Sequence, residues 1–414
     1  MHTPEGVRDI YGEEYARRMV LERKLHEKLH LYGYHDLKTP TFEFFDVFSK
    51  EVGTTPSKEL YKFFDKEGNT LVLRPDFTPS MARCAAKYFC DEKLPIRFCY
   101  DGNTFINRSN LQGKLKEVTQ MGVEYIGDDS VAADAEMISL LVESLKNVGL
   151  SQFQVSIGEV EYFKGLCEAA GLDQDTENSL REYISNKNYF AVDNLLTQAN
   201  VSEEYREVLL ELTDLFGNTE CLSKAKKLVN NERSLKAVER LEQLEELLKV
   251  YGVNSYVSYD FGMLSKYNYY TGVIFKAYTY GVGDAIAKGG RYDELLSQFG
   301  KSAAAIGFAI IVDDLMNAVL RQNIEISLEG NSTCLLYQKE QFDKAIAVAG
   351  FLRKNNMPTE LILIADEDMK KYTAYAKDQM HTQLMCISKE KDVKVIELST
   401  GTEKSVPLAE LGVK

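Results

Sequence analysis

The segment Leu73-Arg74-Pro75-Asp76-Phe77-Thr78-Pro79 sets a carboxylate and a hydroxyl two residues apart, at a strand-to-helix turn. Both oxygens can accept hydrogen bonds from an ammonium group. In Thr119-Gln120-Met121-Gly122-Val123-Glu124 an amide and a carboxylate stand four residues apart. On a strand that spacing turns both to one face. Tyr269-Tyr270-Thr271-Gly272 brings two phenols to the start of a strand, and Gly289-Gly290-Arg291-Tyr292-Asp293 reads as a tight glycine turn into a helix. Singly, each segment fits helix caps and core tyrosines as well as a ligand site. Their order and the lengths between them carry the information.

Two further patterns carry less. His26-Glu27-Lys28-Leu29-His30 matches HExxH, in which two histidines one helical turn apart ligate zinc and the glutamate serves as base. It lies in a charged amphipathic helix. The other histidines, His2, His35 and His381, lack the spacing of an extended zinc-protease motif, so the pair reads as ordinary helix positions. Gly281-Val282-Gly283-Asp284 follows a strand but does not continue into the helix that a phosphate site needs. Neither a metal, nor a cofactor, nor a catalytic residue is expected.

The elements that must position these groups can be read from apolar periodicity. Residues 12–32 read as an amphipathic helix closed by Gly33, followed by a strand ending at Thr39-Pro40. Tyr61–Phe64 and Leu71–Leu73 flank a hairpin turn at Glu67-Gly68-Asn69. Ile96–Phe105 and Val118–Ile126 read as long strands, Val131–Val148 as a helix and Phe153–Ile157 as a strand. From about 160 to 250 leucine, glutamate and lysine recur at helical spacing, which predicts a helical insertion. Strands return at Ser255–Asp260, Tyr269–Tyr280 and Ala285–Lys288, with helices at Tyr292–Phe299 and Val312–Leu320. Past a polar linker at 322–332, a β-α-β-α-β alternation predicts a small α/β domain over 333–414 behind a core of residues 1–325.

Composition narrows the function classes. The 414 residues allow a sizeable core, and 44% hydrophobic with 27% charged content is usual for globular chains. No apolar run approaches the ~20 residues that cross a bilayer, and the N-terminus is not a signal peptide, so a cytoplasmic location without membrane contact is expected. The seven cysteines are odd in number and form no CxxC pair, as expected of reduced buried thiols. A net charge of −14 disfavours nucleic acid as a partner. Residues 331–414 hold twelve basic and twelve acidic residues, with no dense cationic cluster.

Taken together, Gly6-Val7-Arg8-Asp9, Tyr34 with Thr39-Pro40, Arg74-Pro75-Asp76-Phe77-Thr78, Gln120-Met121-Gly122-Val123-Glu124, Tyr269-Tyr270-Thr271-Gly272 and Gly289-Gly290-Arg291-Tyr292-Asp293 resemble the histidyl-tRNA synthetases. The likeness runs from residue 4 to about 320. It implies an α+β fold: a class II aminoacyl-tRNA synthetase-like antiparallel sheet flanked by helices. It also implies that Asp76, Thr78 and Gln120 hold an amino acid's ammonium, that Glu124 holds an imidazole, and that Tyr269 and Tyr270 line the same pocket.

The departures bear on function. Where the synthetases carry an arginine that grips the ATP α-phosphate and the amino-acid carboxylate, this chain has Ile106. Gly113-Lys114-Leu115-Lys116 replaces a doubly arginine-bearing loop. The arginine before the paired tyrosines aligns with Ser265, and the one that stacks on adenine aligns with Asp314. Losing two phosphate-side guanidiniums forfeits charge-assisted hydrogen bonds worth roughly 1.5–3 kcal/mol each. Adenylate formation also needs those cations in its transition state. If strand geometry continues past Phe105, Arg108 has the parity of Ile106 and can supply a substitute cation.

This profile resembles that of a paralogous family, the regulatory subunits of ATP phosphoribosyltransferase. The resemblance implies a non-catalytic chain that activates a short catalytic subunit for the first step of L-histidine biosynthesis and relays feedback by histidine. It also implies a homodimer built partly through the first helix and the strand ending at Pro40. Two rival readings stand beside it: a working synthetase, which would need arginines at 106, 265 and 314, and a synthetase-like module serving another enzyme or an RNA.

Overall fold

The computed structural model describes residues 2–49, 55–93, 95–108, 114–264, 269–328, 330–365, 368–387 and 392–411. Helix α1 (Gly12–Leu31) leads to strands β1 (His35–Asp36) and β2 (Phe42–Phe44), helix α2 (Asp46–Ser49) and the hairpin β3 (Lys62–Phe64) and β4 (Thr70–Leu73). Then come α3 (Thr78–Tyr88), β5 (Ile96–Phe105), β6 (Glu117–Ile126), α4 (Val131–Asn147) and β7 (Phe153–Glu159). The helical insertion is α5 (Val160–Ala169), α6 (Gln174–Ser185), α7 (Tyr189–Gln198), α8 (Glu203–Glu211), β8 (Phe216–Gly217), α9 (Glu220–Lys227) and α10 (Glu232–Tyr251). Strands β9 (Val257–Asp260), β10 (Val273–Thr279), β11 (Ala287–Arg291) and β12 (Ala305–Ile311) precede α11 (Val312–Arg321). The C-terminal elements are β13 (Thr333–Tyr337), α12 (Phe342–Lys354), β14 (Thr359–Leu363), α13 (Met369–Asp378), β15 (Gln383–Ile387), β16 (Asp392–Glu397) and β17 (Glu403–Pro407).

The chain divides into two compact units, Met1–Asp9 with Leu21–Glu325, and Ile10–Val20 with Ile326–Lys414. In the first unit the described residues form a sheet in the order β1-β5-β6-β12-β11-β10-β7-β9-β8, and a separate small sheet β2-β4-β3. Pairing in the large sheet is antiparallel except for β1 with β5 and β7 with β9. On one face of its middle, Phe98, Tyr100 and Ile126 pack with Phe77, Met81, Ala82 and Ala85 of the α3 region, and with Tyr292, Leu295 and Leu296. Gln120 and Glu124 share that face of β6, opposite Gly102 and Phe98 of β5. The helical insertion owes its regularity to side-chain caps such as Asn231, which accepts from Ser234 N, and to Gly252, which ends α10 at φ 71°.

In the second unit β14, β13 and β15 pair in parallel, as the β-α-β-α-β pattern predicts. Strands β16 and β17 extend that sheet antiparallel, which the sequence reading did not foresee. Among the described residues no helix is long and apolar enough to cross a membrane.

Four local readings are corrected. Gly289 and Gly290 lie within β11, not in a turn, paired with Phe308 and Gly307. The helix expected over 292–299 shrinks to a single 3-10 turn at Leu296–Phe299, because Tyr292 N and Asp293 keep bonding to Ala305 along the strand. The first strand ends at Asp36, with only Leu37 N still bonded to Cys99 O, and does not reach Pro40. Strand β5 stops at Phe105: Arg108 N bonds to Ile106 O at 2.9 Å, a three-residue turn and not a continued strand.

Candidate functional site

Strands β6, β11 and β12, the N-terminus of α3 and the segment before β10 enclose a cavity of about 330 Å3. Asp76, Thr78, Gln120, Tyr269, Tyr270 and Arg108, six of the seven residues singled out from the sequence, line it together. Arg108 reaches the wall through its turn, beside Ile106, not through strand parity. The seventh, Glu124, is only 1% exposed and lies just behind the wall. Its Oε1 accepts from Thr78 Oγ1 at 2.9 Å and its Oε2 from the Tyr292 hydroxyl, and both donors line the cavity. Each carboxylate oxygen keeps a further lone pair. Burial pushes Glu124 up to about 8, against the Tyr292 and Thr78 bonds that hold it down and with the charge of Asp76 adding to the rise. Glu124 therefore keeps its proton to higher pH than an ordinary carboxylate.

Near Glu124, Gln120 Oε1 and the Tyr100 hydroxyl are among the buried side-chain oxygens that have no partner among the described residues. Asp76 Oδ1 accepts from Thr78 N at 3.3 Å, which fixes its carboxylate at the opening of α3. The rings of Tyr269 and Tyr270 lie 4.3 Å apart, and Tyr269 meets Tyr292 edge-on at 6.2 Å. The backbone must approach closely here. A Cβ on Gly307 would lie 2.0 Å from Glu124 Oε2 and 2.4 Å from Val123 O, and one on Gly290 would lie 2.7 Å from the Tyr270 ring. Gly307→Ala should therefore cost about 1–3 kcal/mol as an overpacking change. A urea midpoint equal to that of the unmodified protein would disprove this packing.

The far side of the cavity is lined by Ile106, Lys114, Lys116, Asp284, Lys288, Asp313 and Asp314. Lys114 Nζ pairs with Asp284 Oδ2 at 2.5 Å, and Asp313 Oδ2 accepts from Thr119 N at 2.7 Å. Burial raises Asp314, and Asp284 and Asp313 add to the rise while Lys288 and Lys114 oppose it. Cations and carboxylates thus interleave where a polyphosphate would need cations alone. Ser265 lies outside the described residues.

The framework behind the wall was not assigned from the sequence. Arg291, 2% exposed, donates through Nε and a terminal nitrogen to Asp134 Oδ1 at 2.9 and 2.5 Å, and through its other nitrogen to Asp128 O and Asp293 Oδ1. Arg240 Nε reaches Asp134 Oδ2 at 2.8 Å. Asp293 in turn takes the Thr271 hydroxyl at 3.0 Å, locking the loop that carries the paired tyrosines. Tyr292 stood inside a quoted motif, so its role as partner of Glu124 had a signal. Tyr100 and Asp134 had none, because each comes from an element distant in sequence.

Comparison with known proteins adds lineage to this geometry. The histidyl-tRNA synthetase family model matches residues 6–315. The chain is 40% identical over 379 residues to the ATP phosphoribosyltransferase regulatory subunit of Ruminiclostridium cellulolyticum, covering 91% of this chain and 90% of that one. It is 37% identical over 411 residues to the regulatory subunit of Acetivibrio thermocellus, covering 99% and 98%. A crystal structure from Bacillus halodurans, described as an ATP phosphoribosyltransferase regulatory subunit/histidyl-tRNA synthetase, superposes with a TM-score of 0.82 at 33% identity, over 90% of this chain and 96% of that one. Histidyl-tRNA synthetase from Nostoc sp. PCC 7120 shares the fold, with a TM-score of 0.83 at 19% identity over 99% and 98% of the two chains.

Proposed function

The chain belongs to the family of ATP phosphoribosyltransferase regulatory subunits, built on a histidyl-tRNA synthetase-like fold, and on that premise we propose that its cavity is the L-histidine site through which the partner enzyme is regulated. The chain is a non-catalytic subunit in histidine biosynthesis that works with a catalytic ATP phosphoribosyltransferase chain. The observation that carries the histidine reading is the buried, partnerless Gln120 Oε1, in the same wall that presents Asp76 and Thr78. An ammonium group donates to all three at once. The imidazole then lies toward Glu124, between Thr78 and Tyr292, and Tyr269 and Tyr270 flank it. Arg108 meets the carboxylate in place of the missing arginines. A buried polar end that must be satisfied selects histidine over an apolar amino acid of similar size.

The homodimer through the first helix and the strand region ending at Pro40 belongs to the same proposal, supported by the exposed apolar surface of Phe42, Phe44 and Phe64. So does a cytoplasmic location, supported by the free thiols of all seven cysteines. tRNA is not proposed as a partner, given the net charge of −14 and the balanced charge of residues 331–414.

The test is reconstitution with a short catalytic subunit. Mixing should raise phosphoribosyl transfer from near zero, and added histidine should suppress it, with binding in the micromolar-to-millimolar range, roughly −8 to −4 kcal/mol. Histidine-dependent pyrophosphate exchange with ATP should stay at background. A catalytic subunit that is fully active alone and unchanged on mixing, or clear exchange that is lost on mutating Asp76, would sink the proposal.

A further inference from the structure

The histidine pair that the sequence reading set aside acquires partners in the fold. His26 and His30 stand one turn apart near the end of α1, where the buried Leu21, Leu25 and Leu29 anchor the helix. The chain then turns through Gly33 at φ 80° into β1. Parallel pairing of β1 with β5 sets Asp36 opposite Cys99, so carboxylate and thiol lie side by side. His26 Nε2 lies 2.6 Å from Asp36 Oδ1, His30 Nε2 lies 3.0 Å from Asp36 Oδ2, and Cys99 Sγ lies 3.3 Å from Asp36 Oδ1. One ligand atom from each of the four residues falls within 4.8 Å of the others.

The geometry points to a divalent transition-metal site, of the zinc class, formed by His26, His30, Asp36 and Cys99. Two imidazoles, a carboxylate and a thiol are a donor set that zinc takes in tetrahedral coordination. Tetrahedral zinc spaces its ligand atoms roughly 3.3–3.8 Å apart, given bond lengths of 2.0–2.3 Å. The four atoms lie within 4.8 Å of one another, so rotation of the two histidine side chains, 38% and 42% exposed, would bring them to that spacing. The Cys99 thiol donates to Asp36, and the Nε2 atoms of His26 and His30 lie within hydrogen-bond distance of the same carboxylate. Binding an ion releases the thiol proton and takes each imidazole in the tautomer that leaves Nε2 unprotonated. Three elements, α1, β1 and β5, supply the ligands, and their pairing and packing fix the positions in advance. The ion would clip the C-terminal turn of α1 to the edge of the large sheet. Hydrolytic chemistry is not implied: Glu27, the base in zinc proteases, is 64% exposed and faces Arg23 at 3.9 Å.

Cobalt titration of the untagged full-length chain tests the site. One equivalent of Co2+ should give tetrahedral visible bands together with a thiolate-to-cobalt charge-transfer band, and zinc should displace both. Cys99→Ser should remove the charge-transfer band. His30→Ala, whose side chain is 42% exposed in the single chain, should weaken zinc binding by more than the roughly 10–100-fold that loss of an outer-sphere partner costs, with an elution volume unchanged from wild type as the check on assembly. Cys334→Ser serves as the control, since Cys334, Glu360 and His381 form a separate three-group cluster in the second unit. It should leave the spectrum unchanged. Absence of the charge-transfer band, its persistence in Cys99→Ser, unchanged zinc affinity in His30→Ala, or loss of the band in Cys334→Ser would overturn the assignment.

Discussion

Replacing Glu124 with alanine should weaken histidine binding in a calorimeter by roughly 10- to 150-fold or remove it from view, and with it histidine's suppression of the activated catalytic subunit. The carboxyl is buried behind Thr78 and Tyr292 and is the group proposed to meet the imidazole. Loss of a hydrogen bond to a charged partner removes about 1.5–3 kcal/mol, and the hydroxyls left facing a void add to the deficit. That is roughly a 10- to 150-fold rise in Kd, which carries a millimolar site out of the measurable range and a micromolar one to about 10–150 μM. Glu124→Gln guards against a trivial folding defect, since it keeps the shape and the hydrogen-bonding capacity. It also exposes the pH dependence. Free histidine carries an imidazolium below about pH 6.5, while Glu124 in the ligand-free cavity keeps its proton up to about 8. In the proposed complex the imidazole and Glu124 share one proton. Below about pH 6.5 binding must release a proton, so affinity falls as pH drops. Above about pH 8 it must recover one, so affinity falls as pH rises. The unmodified chain should therefore bind best between these limits, and Glu124→Gln should lose the upper limb. Undiminished histidine binding in folded Glu124→Ala would remove Glu124 from the site, and a profile shared by wild type and Glu124→Gln would remove the shared proton.

What the sequence made legible follows from how local each signal was. Gln120 and Glu124 share a face because strand alternation is a two-residue rule, and that rule needs nothing outside β6. The Thr78-Pro79 opening of α3 was equally local. The same alternation does not carry to Arg108, because the chain folds back at 106–108 after β5 ends. Arg108 lines the cavity all the same, through a turn that no periodicity announces. Glycine pairs usually mark turns, which is why Gly289 and Gly290 read as one in the sequence. Here they sit mid-strand, where Phe275 and Tyr270 press against the bare backbone. HExxH shows along the chain only its own spacing, whereas Asp36 and Cys99 arrive by strand pairing across 63 residues. Sequence spacing reports contacts within one element. Contacts between elements need the register.

The Asp134→Ala substitution should be the most destabilising single change near the site. Asp134 is fully buried and is the common acceptor of Arg291 and Arg240. Its removal leaves Arg291, itself 2% exposed, with a guanidinium that has lost its closest carboxylate. Breaking one side of a buried pair in this way costs about 3–5 kcal/mol, because the remaining charge cannot be rehydrated. Arg240→Ala should cost clearly less: its side chain is 27% exposed, and Arg291 still neutralises Asp134. The damage should also reach the cavity. Arg291 holds Asp293, Asp293 holds Thr271, and Thr271 follows the paired tyrosines, while Tyr292 stands between Arg291 and Asp293. Histidine affinity should therefore fall with stability in Asp134→Ala, although Asp134 does not line the cavity. Urea unfolding with calorimetry on the still-folded fraction measures both. If Asp134→Ala costs no more than Arg240→Ala, the buried pair is not the anchor of this wall. If stability falls while histidine affinity is unchanged, the chain of contacts from Arg291 to the tyrosines is structural alone, and the glycine-arginine-tyrosine-aspartate segment contributes to the pocket only through Tyr292.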